Sequence, residues 1–158
     1  MSSPTIHCRP VTESDEPFLR RLITETLFQE LAAWAWPEAI RDQILEMQYR
    51  VKRQGIAANY AAAEVSLIET GGEPVGWIVV VRSDTDLYIV EIAILPESRG
   101  KGIGGAVLRG VLGDADCRGV PARLNVSTNN RAIRLYERLG FRRCGGSDVQ
   151  HFMVREAS

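Results

Sequence analysis

The sequence predicts a mixed α/β fold, in which helices flank a central, mostly antiparallel twisted sheet with one β-loop-α-β crossover. Three observations support this prediction. Apolar residues recur at helical spacing in the first third of the chain, and the spacing then changes to that of strands. A glycine-rich loop joins the most apolar strand to a helix. No repeat or Pro/Ser-rich linker divides the chain, so we expect one domain over residues 1–158.

Two helices are predicted before the sheet, preceded by a short strand over residues 5–9 that ends at Pro10. Thr12 is a typical N-cap for the first helix. The second is predicted to begin at Pro37, since proline is favoured at the first helical position, and to end at Gly55. The apolar stripes predicted to face the core are Phe18, Leu22, Ile23, Leu27 and Leu31 in the first helix, and Ile40, Ile44, Met47 and Val51 in the second.

The sheet is predicted from the change in period after residue 63. Two segments joined by the Gly71–Gly72 turn predict a β-hairpin, and a long apolar strand follows it. The later elements alternate, as expected of a crossover. The predicted strands are 64–70, 75–82, 87–95, 122–126, 141–144 and 149–155, and the predicted helices between them are 102–112 and 129–139.

Composition excludes several classes of function. The net charge of −1 disfavours a nucleic-acid partner, which usually requires a basic surface. No apolar run is long enough to span a bilayer, and residues 1–10 lack the apolar region of a signal peptide. Cys8, Cys117 and Cys144 form no Cys-x-x-Cys pair, so we expect no metal and a reducing compartment. The expected location is therefore cytoplasmic, without a membrane partner.

The strongest chemical signal is the loop Arg99-Gly100-Lys101-Gly102-Ile103-Gly104, with Gly105 following it. Glycines let the backbone approach an anion closely and adopt positive φ, which we expect at Gly102 and Gly104. Free N–H groups and the dipole at a helix start attract phosphate, and Arg99 and Lys101 add positive charge. The loop therefore predicts a pyrophosphate site.

Two other kinds of phosphate loop fit less well. A P-loop requires Ser or Thr after its lysine, whereas Lys101 is followed by Gly102. The dinucleotide pattern G-x-G-x-x-G matches formally at Gly100, Gly102 and Gly105. However, residues 96–99 separate it from the preceding strand, and the next strand, 122–126, has no acid to bind a ribose.

The loop and a second motif together resemble the GNAT acetyltransferase superfamily. Arg99, Gly102 and Gly104 match its pattern [QR]-x-x-G-x-[GA] after an apolar strand that ends in proline. The segment from Asn129 to Phe141 is similar to the family's N-x-x-A-x-x-L-Y-x-x-x-G-F helix. The resemblance covers at least residues 88–141 and implies a GNAT-like fold. It also implies direct transfer of the acetyl group of acetyl-coenzyme A (acetyl-CoA) to a primary amine in a ternary complex.

The resemblance also implies which residues contact the cofactor. The strand residues would lie beside the thioester and pantetheine, where one backbone N–H polarises the acetyl carbonyl, and the loop would hold the pyrophosphate. Asn129 would contact pantetheine, although its position at a helix start is equally explained by N-capping. The implied cofactor-binding residues are Ile92, Ala93, Ile94, Arg99, Gly100, Lys101, Gly102, Ile103, Gly104, Gly105 and Asn129.

Two residues are candidates for proton transfer. The resemblance implies that Tyr136 is the general acid for the leaving thiolate, which suits a pKa of ~10, although the ring could serve packing alone. Glu91 is a carboxylate within an apolar strand, which is costly to bury unless it is paired. Glu91 is either a general base or one half of an ion pair with an arginine. Many family members place a base on the strand that here reads Leu124-Asn125-Val126; without an acid there, either Glu91 or no residue serves as the base.

Other side chains have simpler interpretations. An acyl-enzyme on Cys117 or Cys144 is disfavoured because neither has a neighbouring histidine, and both are expected to be buried. His7 and His151 are interpreted as core or surface residues, with His151 the nearer to the acceptor pocket. Three aromatic residues either pack or line that pocket, and an arginine cluster is interpreted mainly as a solvated face. The aromatic residues are Trp34, Trp36 and Tyr60. The arginines are Arg131, Arg134, Arg138, Arg142 and Arg143.

The main alternative is a non-catalytic module that binds acyl-CoA as a sensor, because the loop alone does not distinguish binding from turnover. Tyr136 and Glu91 favour catalysis, since a sensor needs neither. The expected acceptor is a small amine or an amino-acid derivative. A homodimer is expected only because small enzymes often pair.

Overall fold

The structure, a computed structural model, describes residues 5–31 and 37–158. Its centre is a seven-stranded sheet in the order β1-β2-β3-β4-β5-β7-β6, in which only the pair β4–β5 is parallel. The mixed, mostly antiparallel sheet with flanking helices is confirmed. The strands are β1 (Ile6–Pro10), β2 (Glu64–Thr70), β3 (Glu73–Arg82), β4 (Leu87–Ile94), β5 (Ala122–Ser127), β6 (Arg142–Gly146) and β7 (Gln150–Arg155), and the helices are α1 (Glu16–Leu31), α2 (Glu38–Asn59), α3 (Ile103–Arg118) and α4 (Ala132–Arg138).

The two faces of the sheet bury separate apolar clusters. Strand side chains alternate between the faces, so Leu87 and Ile89 of β4 pack with α3 and α4, whereas Val90 and Ala93 pack with α1 and α2. Trp77 of β3 is fully buried on the α1 and α2 side. The sheet therefore separates the glycine-loop helix α3 from the N-terminal helices, and β4 contributes to both cores.

The start of α1 agrees with the sequence. Thr12 precedes a short 3-10 turn (Glu13–Asp15) that leads directly into the helix. The Asp15 carboxylate accepts a hydrogen bond from the Thr12 N–H at 2.8 Å and pairs with Arg9, which keeps the pKa of Asp15 well below its usual range. Leu22 and Ile23 of the predicted stripe are buried, together with Leu19.

The stripe predicted for α2 is wrong at three of its four positions, since only Ile44 is partly buried. Ile40, Met47 and Val51 are exposed, and the helix instead buries Leu45, Tyr49 and Ile56. The true inner face mixes apolar and polar side chains, because Tyr49 bonds Glu16 on α1 and Lys52 pairs with the sheet. A pattern read from apolar residues alone therefore selects the wrong face. Gly55 does not end α2, which continues to Asn59.

The other predicted boundaries need smaller corrections. Helix α3 continues past Leu112 to Arg118 and ends at Gly119, whose φ of 67° is the left-handed conformation typical of a helix stop. Helix α4 is shorter than predicted, and it starts at Ala132 rather than Asn129. In the closing pair, β7 lies between β5 and β6. Among residues 5–31 and 37–158, no helix has the length and apolar character needed to cross a bilayer.

Candidate active site

The candidate site is a cleft between β4 and β5. These parallel strands pair only from Leu87 to Ile89 on β4 and from Ala122 to Leu124 on β5. Strand β4 continues unpaired along this edge to Ile94, and β5 continues to Ser127. Backbone groups of β4 that face the gap therefore have no partner on β5. Because buried N–H and C=O groups need a hydrogen-bond partner, these groups are available to a ligand.

A β-bulge in β4 lies at the point where the two strands separate. Val79 of β3 is paired with Glu91 and its neighbour Val80 with Ile89, so Val90 is the additional residue. A bulge of this kind re-aims side chains and interrupts pairing, and bulges are frequent beside active sites. Here it places Glu91 at the opening of the cleft.

Glu91 is paired with Lys52 of α2. The Lys52 ammonium Nζ donates to Glu91 Oε1 at 2.9 Å, and the side chains are 29% and 23% exposed. The partner is therefore a lysine from a helix, not the arginine that the sequence suggested, and the carboxylate is only partly enclosed. Lys52 was missed because it lies 39 residues before Glu91, on a helix face predicted to be polar, and no local pattern links the two.

Tyr136 lies on the other side of the sheet edge, in α4. It is 6% exposed, and its ring meets Phe141 edge to face at a centroid distance of 5.8 Å. Burial raises the pKa of Tyr136 to about 12, and the charge of the nearby Glu91 adds to the rise. The hydroxyl is therefore a firmly protonated donor, and its pKa is higher than the ordinary value assumed from the sequence.

An aromatic wall borders the cleft on the side of α2. Tyr60, just after α2, stacks on Tyr88 of β4 at a centroid distance of 6.0 Å. Asn125 of β5 donates to the Tyr88 hydroxyl at 2.9 Å. Phe152 of β7 is paired with Asn125 in register and is 45% exposed, so it lies on the same open face of the sheet. Of the aromatic residues named from the sequence, Tyr60 is in this wall, while Trp34 and Trp36 lie outside the described residues.

The glycine loop lies at the end of β4, beyond a 3-10 turn (Pro96–Ser98). Gly100 and Gly102 adopt φ of 76° and 80°, and Gly102 is the residue from which α3 begins. Gly104 has no positive φ, contrary to the sequence-based expectation, because it already lies in the first turn of α3. An added Cβ at Gly104 would meet nothing within 4 Å, so the space above this turn is open to a ligand.

Arg99 is held by the protein in this structure. Its Nε donates to the Ile94 carbonyl at 3.0 Å, and its Nη1 donates to the Gln29 side chain of α1 at 2.7 Å. These bonds connect the start of the loop to the end of β4 and to α1. The side chain thus shapes the loop whether or not it also contacts a phosphate.

The start of α4 differs from the sequence interpretation of Asn129. The N-cap of α4 is Arg131, and the side chain that bonds the first turn is that of Asn130, whose Oδ1 accepts from the Ala132 N–H at 2.8 Å. Asn129 is exposed in the turn after β5, so it does not serve as the cap and can reach a ligand. The five arginines of the predicted solvated face are exposed, as expected: Arg131, Arg134, Arg138, Arg142 and Arg143.

The remaining candidates are not part of the cleft wall described above. Cys8, Cys117 and Cys144 are free and exposed, so the expectation that Cys117 and Cys144 are buried is wrong. His7 is exposed, and His151 is half-buried on the face of the sheet that packs with α3 and α4, opposite Val126. Within the described ranges, no cluster of three or more His, Cys, Asp or Glu side chains could hold a metal.

A separate groove of about 730 Å³ lies between the start of α1, the second half of α2 and the start of β2. Its lining includes Glu16, Arg20, Arg53 and Tyr60, but no residue of the glycine loop or of the β4–β5 gap. The groove reaches the aromatic wall through Tyr60 and is not the phosphate site.

The sequence profile of the acetyltransferase (GNAT) family matches residues 24–141. This range spans β4, the glycine loop and α4. The chain belongs to the GNAT family. It is therefore an acyltransferase of a family whose acyl donor is acetyl-CoA.

Solved structures show the same GNAT fold. The PaiA N-acetyltransferase of Thermoplasma acidophilum in complex with coenzyme A has a TM-score of 0.74 at 16% identity, covering 96% of this chain and 99% of that chain. An acetyltransferase of Thermus thermophilus has a TM-score of 0.72 at 24% identity, covering 99% of both chains. The ribosomal-protein-S18-alanine N-acetyltransferase of Escherichia coli has a TM-score of 0.68 at 20% identity, covering 98% and 95%.

Proposed function

We propose that this GNAT chain transfers the acetyl group of acetyl-CoA to a primary amine by direct attack in a ternary complex. The observation that carries the proposal is the gap between β4 and β5, which runs from Glu91 and the nearby Tyr136 toward the glycine loop. One site thus contains an open strand edge, a carboxylate, a protonated hydroxyl and a phosphate-type loop. A sensor would need only the first and last of these.

The cofactor is bound along the open edge of β4 and at the start of α3. Those backbone groups of Ile92, Ala93 and Ile94 that face the gap bond the pantetheine, and one N–H polarises the acetyl carbonyl. Residues 99–105 hold the pyrophosphate against the first turn of α3, where N–H groups and the helix dipole favour negative charge. Asn129, exposed near the end of β5, contacts the pantetheine from the opposite side.

Proton transfer is divided between the two sides of the cleft. Glu91 takes a proton from the acceptor ammonium, so that the amine nitrogen attacks the carbonyl carbon, the C–N bond forms and the C–S bond breaks. Tyr136 donates a hydrogen bond to the thiolate. A hydroxyl of pKa about 12 stabilises a thiolate of pKa ~8.5–10 without giving up its proton in the ground state. Tyr136 is therefore a stabilising donor, and a proton that it passes to the departing thiolate is replaced by the second proton of the attacking nitrogen.

The acceptor is a small primary amine with an apolar or aromatic portion. Tyr60, Tyr88 and Phe152 provide the wall for that portion, and Glu91 attracts the ammonium. The alternative acceptors, such as long polyamines, would require several carboxylates in a row, whereas Glu91 is the one acid of β4.

A calorimetric titration tests cofactor binding. We expect acetyl-CoA to bind and NAD to give no heat, because the loop starts beyond the strand end and β5 offers no acid for a ribose. A chain that bound NAD and not acetyl-CoA would contradict the assignment of the loop. The matched variant is Gly104→Val, whose side chain fills the open space above the first turn of α3 without a backbone penalty for φ. Normal acetyl-CoA binding by the folded variant would place the phosphates elsewhere.

A further inference from the structure

The chain contains almost no lysine. Seventeen of its 19 basic residues are arginine, and the two lysines are Lys52 and Lys101. A guanidinium stays protonated and is a poor nucleophile, whereas a lysine amine accepts an acetyl group once it is deprotonated. Lys101 lies in the glycine loop, and Lys52 is paired with Glu91, the candidate base.

Lys52 contacts the carboxylate that is proposed as the general base. Its Nζ is 2.9 Å from Glu91 Oε1, within the reach that proton transfer needs. Glu91 directly precedes the residues of β4 whose open edge faces the gap. The Lys52 side chain is 29% exposed, and it extends from α2, the helix that also positions Tyr60 beside the cleft. The ammonium of this side chain is thus held as the ammonium of a substrate would be.

We propose that Lys52 is a site of self-acetylation, at which the chain transfers an acetyl group from bound acetyl-CoA to its own side chain. The inference rests on the proposed function, since it uses the same donor and the same cleft. Self-acetylation would make Lys52 of α2 a covalent modification site and an acceptor that belongs to the protein itself.

The reaction balances without any further reactant. The Lys52 ammonium gives one proton to Glu91, and its nitrogen attacks the carbonyl carbon of the thioester. A C–N bond forms, the C–S bond breaks, and the electron pair of that bond leaves on sulfur, where Tyr136 stabilises it. The nitrogen loses its second proton, which ends on the thiol of coenzyme A. The first proton passes from Glu91 to solvent, and the product is an uncharged amide at position 52.

Mass spectrometry of the full chain incubated with acetyl-CoA tests the proposal. We expect one added acetyl group, located on Lys52 by peptide mapping, at a rate that does not depend on protein concentration. Labelling at Lys101 should be at least about tenfold slower, because it has no positioned base. Glu91→Gln should slow the labelling of Lys52 by a similar factor, and Lys52→Arg should abolish it while keeping a cation beside Glu91.

A matched control comes from the same helix. Arg50 is 69% exposed and is paired with the carboxylate of Glu46 at 3.2 Å, so Arg50→Lys introduces a carboxylate-paired amine outside the cleft. The lysine introduced at position 50 should react no faster than Lys101. Equal labelling at positions 50, 52 and 101, or equally fast labelling of Lys52 in the urea-unfolded chain, would show ordinary chemical acetylation and overturn the proposal.

Different results would overturn self-acetylation and the proposed function. If acetyl-CoA binds and free amines are acetylated while Lys52 stays unmodified over many turnovers, self-acetylation is overturned and the proposed function stands. If acetyl-CoA does not bind in the calorimetric titration of the same preparation, the proposed function is overturned, and self-acetylation with it.

Discussion

Tyr136 and Glu91 border one cleft from two sides, and the charge of Glu91 affects the pKa of Tyr136. The Glu91 carboxylate contributes to the raised pKa of Tyr136, although burial is the larger cause. Each residue therefore supports the role proposed for the other. A charged base keeps the hydroxyl protonated, and a protonated hydroxyl leaves the base as the only negative group of the pair.

Removing the Tyr136 hydroxyl should separate chemistry from binding. Tyr136→Phe keeps the ring and its edge contact with Phe141, so folding and acetyl-CoA affinity should hardly change. The turnover number should fall by roughly ten- to a thousandfold, which is comparable to the contribution of one positioned acid. Steady-state thiol release and calorimetric binding measure the two quantities. An unimpaired variant would show that the thiolate leaves without help from α4.

Glu91→Gln keeps the shape of the side chain and its contact with Lys52 while removing the charge. If Glu91 is the base, the acidic limb of the pH–rate profile is lost or displaced, and the rate recovers at high pH where the amine deprotonates unaided. The pKa of Tyr136 should also fall, yet stay above its ordinary value, because burial remains. An unchanged profile together with a lower melting temperature would make Glu91 a structural partner of Lys52.

The sequence predicted these two residues but not their partners. Tyr136 and Glu91 stand out because a motif resemblance and a charge in an apolar strand are local signals. Lys52 pairs with Glu91 from 39 residues away, and Tyr88 and Asn125 of the aromatic wall bond each other across 37 residues. Such contacts depend on how elements pack, and no spacing in the sequence encodes them.

At the scale of elements, the glycine loop combines two different uses of glycine. Gly102 needs its left-handed backbone to start α3, whereas Gly104 has helical geometry and leaves space above the first turn. The motif predicts the same role for both glycines, because a motif specifies residue types and not dihedral angles. The structure separates the two roles and makes them testable.

Alanine at the two positions should act in opposite ways on stability. Gly102→Ala should destabilise the fold by about 1–2 kcal/mol, because a Cβ disfavours left-handed backbone. Gly104→Ala should be neutral or stabilise it by up to about 1 kcal/mol, because alanine is the better helix former. Urea unfolding measures both. Acetyl-CoA affinity should fall in Gly102→Ala and hardly change in Gly104→Ala, because the family pattern accepts alanine at position 104. A Gly102→Ala chain as stable as the parent would contradict the expected cost of left-handed backbone.

Helix α2 shows why amphipathic patterns can mislead. Its inner face includes Tyr49 and Lys52, which are held by Glu16 and Glu91, so polar contacts replace part of the apolar burial. The exposed apolar residues Ile40, Met47 and Val51 are the ones that periodicity had assigned to the core. The strands were predicted better, because their alternation follows directly from burial on two faces of the sheet.

At the scale of the whole molecule, one sheet connects residues from both ends of the chain, which supports the proposal that residues 1–158 act as one domain. Arg155 of β7 joins the helices behind the sheet: it is paired with Asp116 of α3 at 2.8 Å and donates to the Leu139 carbonyl after α4 at 2.9 Å. This pairing lowers the pKa of Asp116 to about 2. The homodimer expected from the sequence stays a prediction.

Burial of Tyr136 predicts a loss of stability in alkali. Its pKa is about 12 in the fold against 10.0 for an ordinary tyrosine, so its contribution is complete below pH 10 and is lost as the pH rises toward 12. The loss should be about 1.4 kcal/mol at pH 11, from the two pKa values. Tyr136→Phe should remove this part of the slope, as measured by urea unfolding at pH 9 and pH 11. Identical slopes in both chains would contradict the shift.

The most direct test of the central claim is thiol release from acetyl-CoA, with the products identified by mass spectrometry. The acceptors are small aromatic and aliphatic primary amines and amino-acid derivatives, each matched with a tertiary amine of similar shape. We predict turnover with primary amines only, an N-acetyl product, and a preference for aromatic acceptors that weakens in Phe152→Ala. Firm binding of acetyl-CoA with no thiol release for any primary amine would contradict the account and favour a sensor.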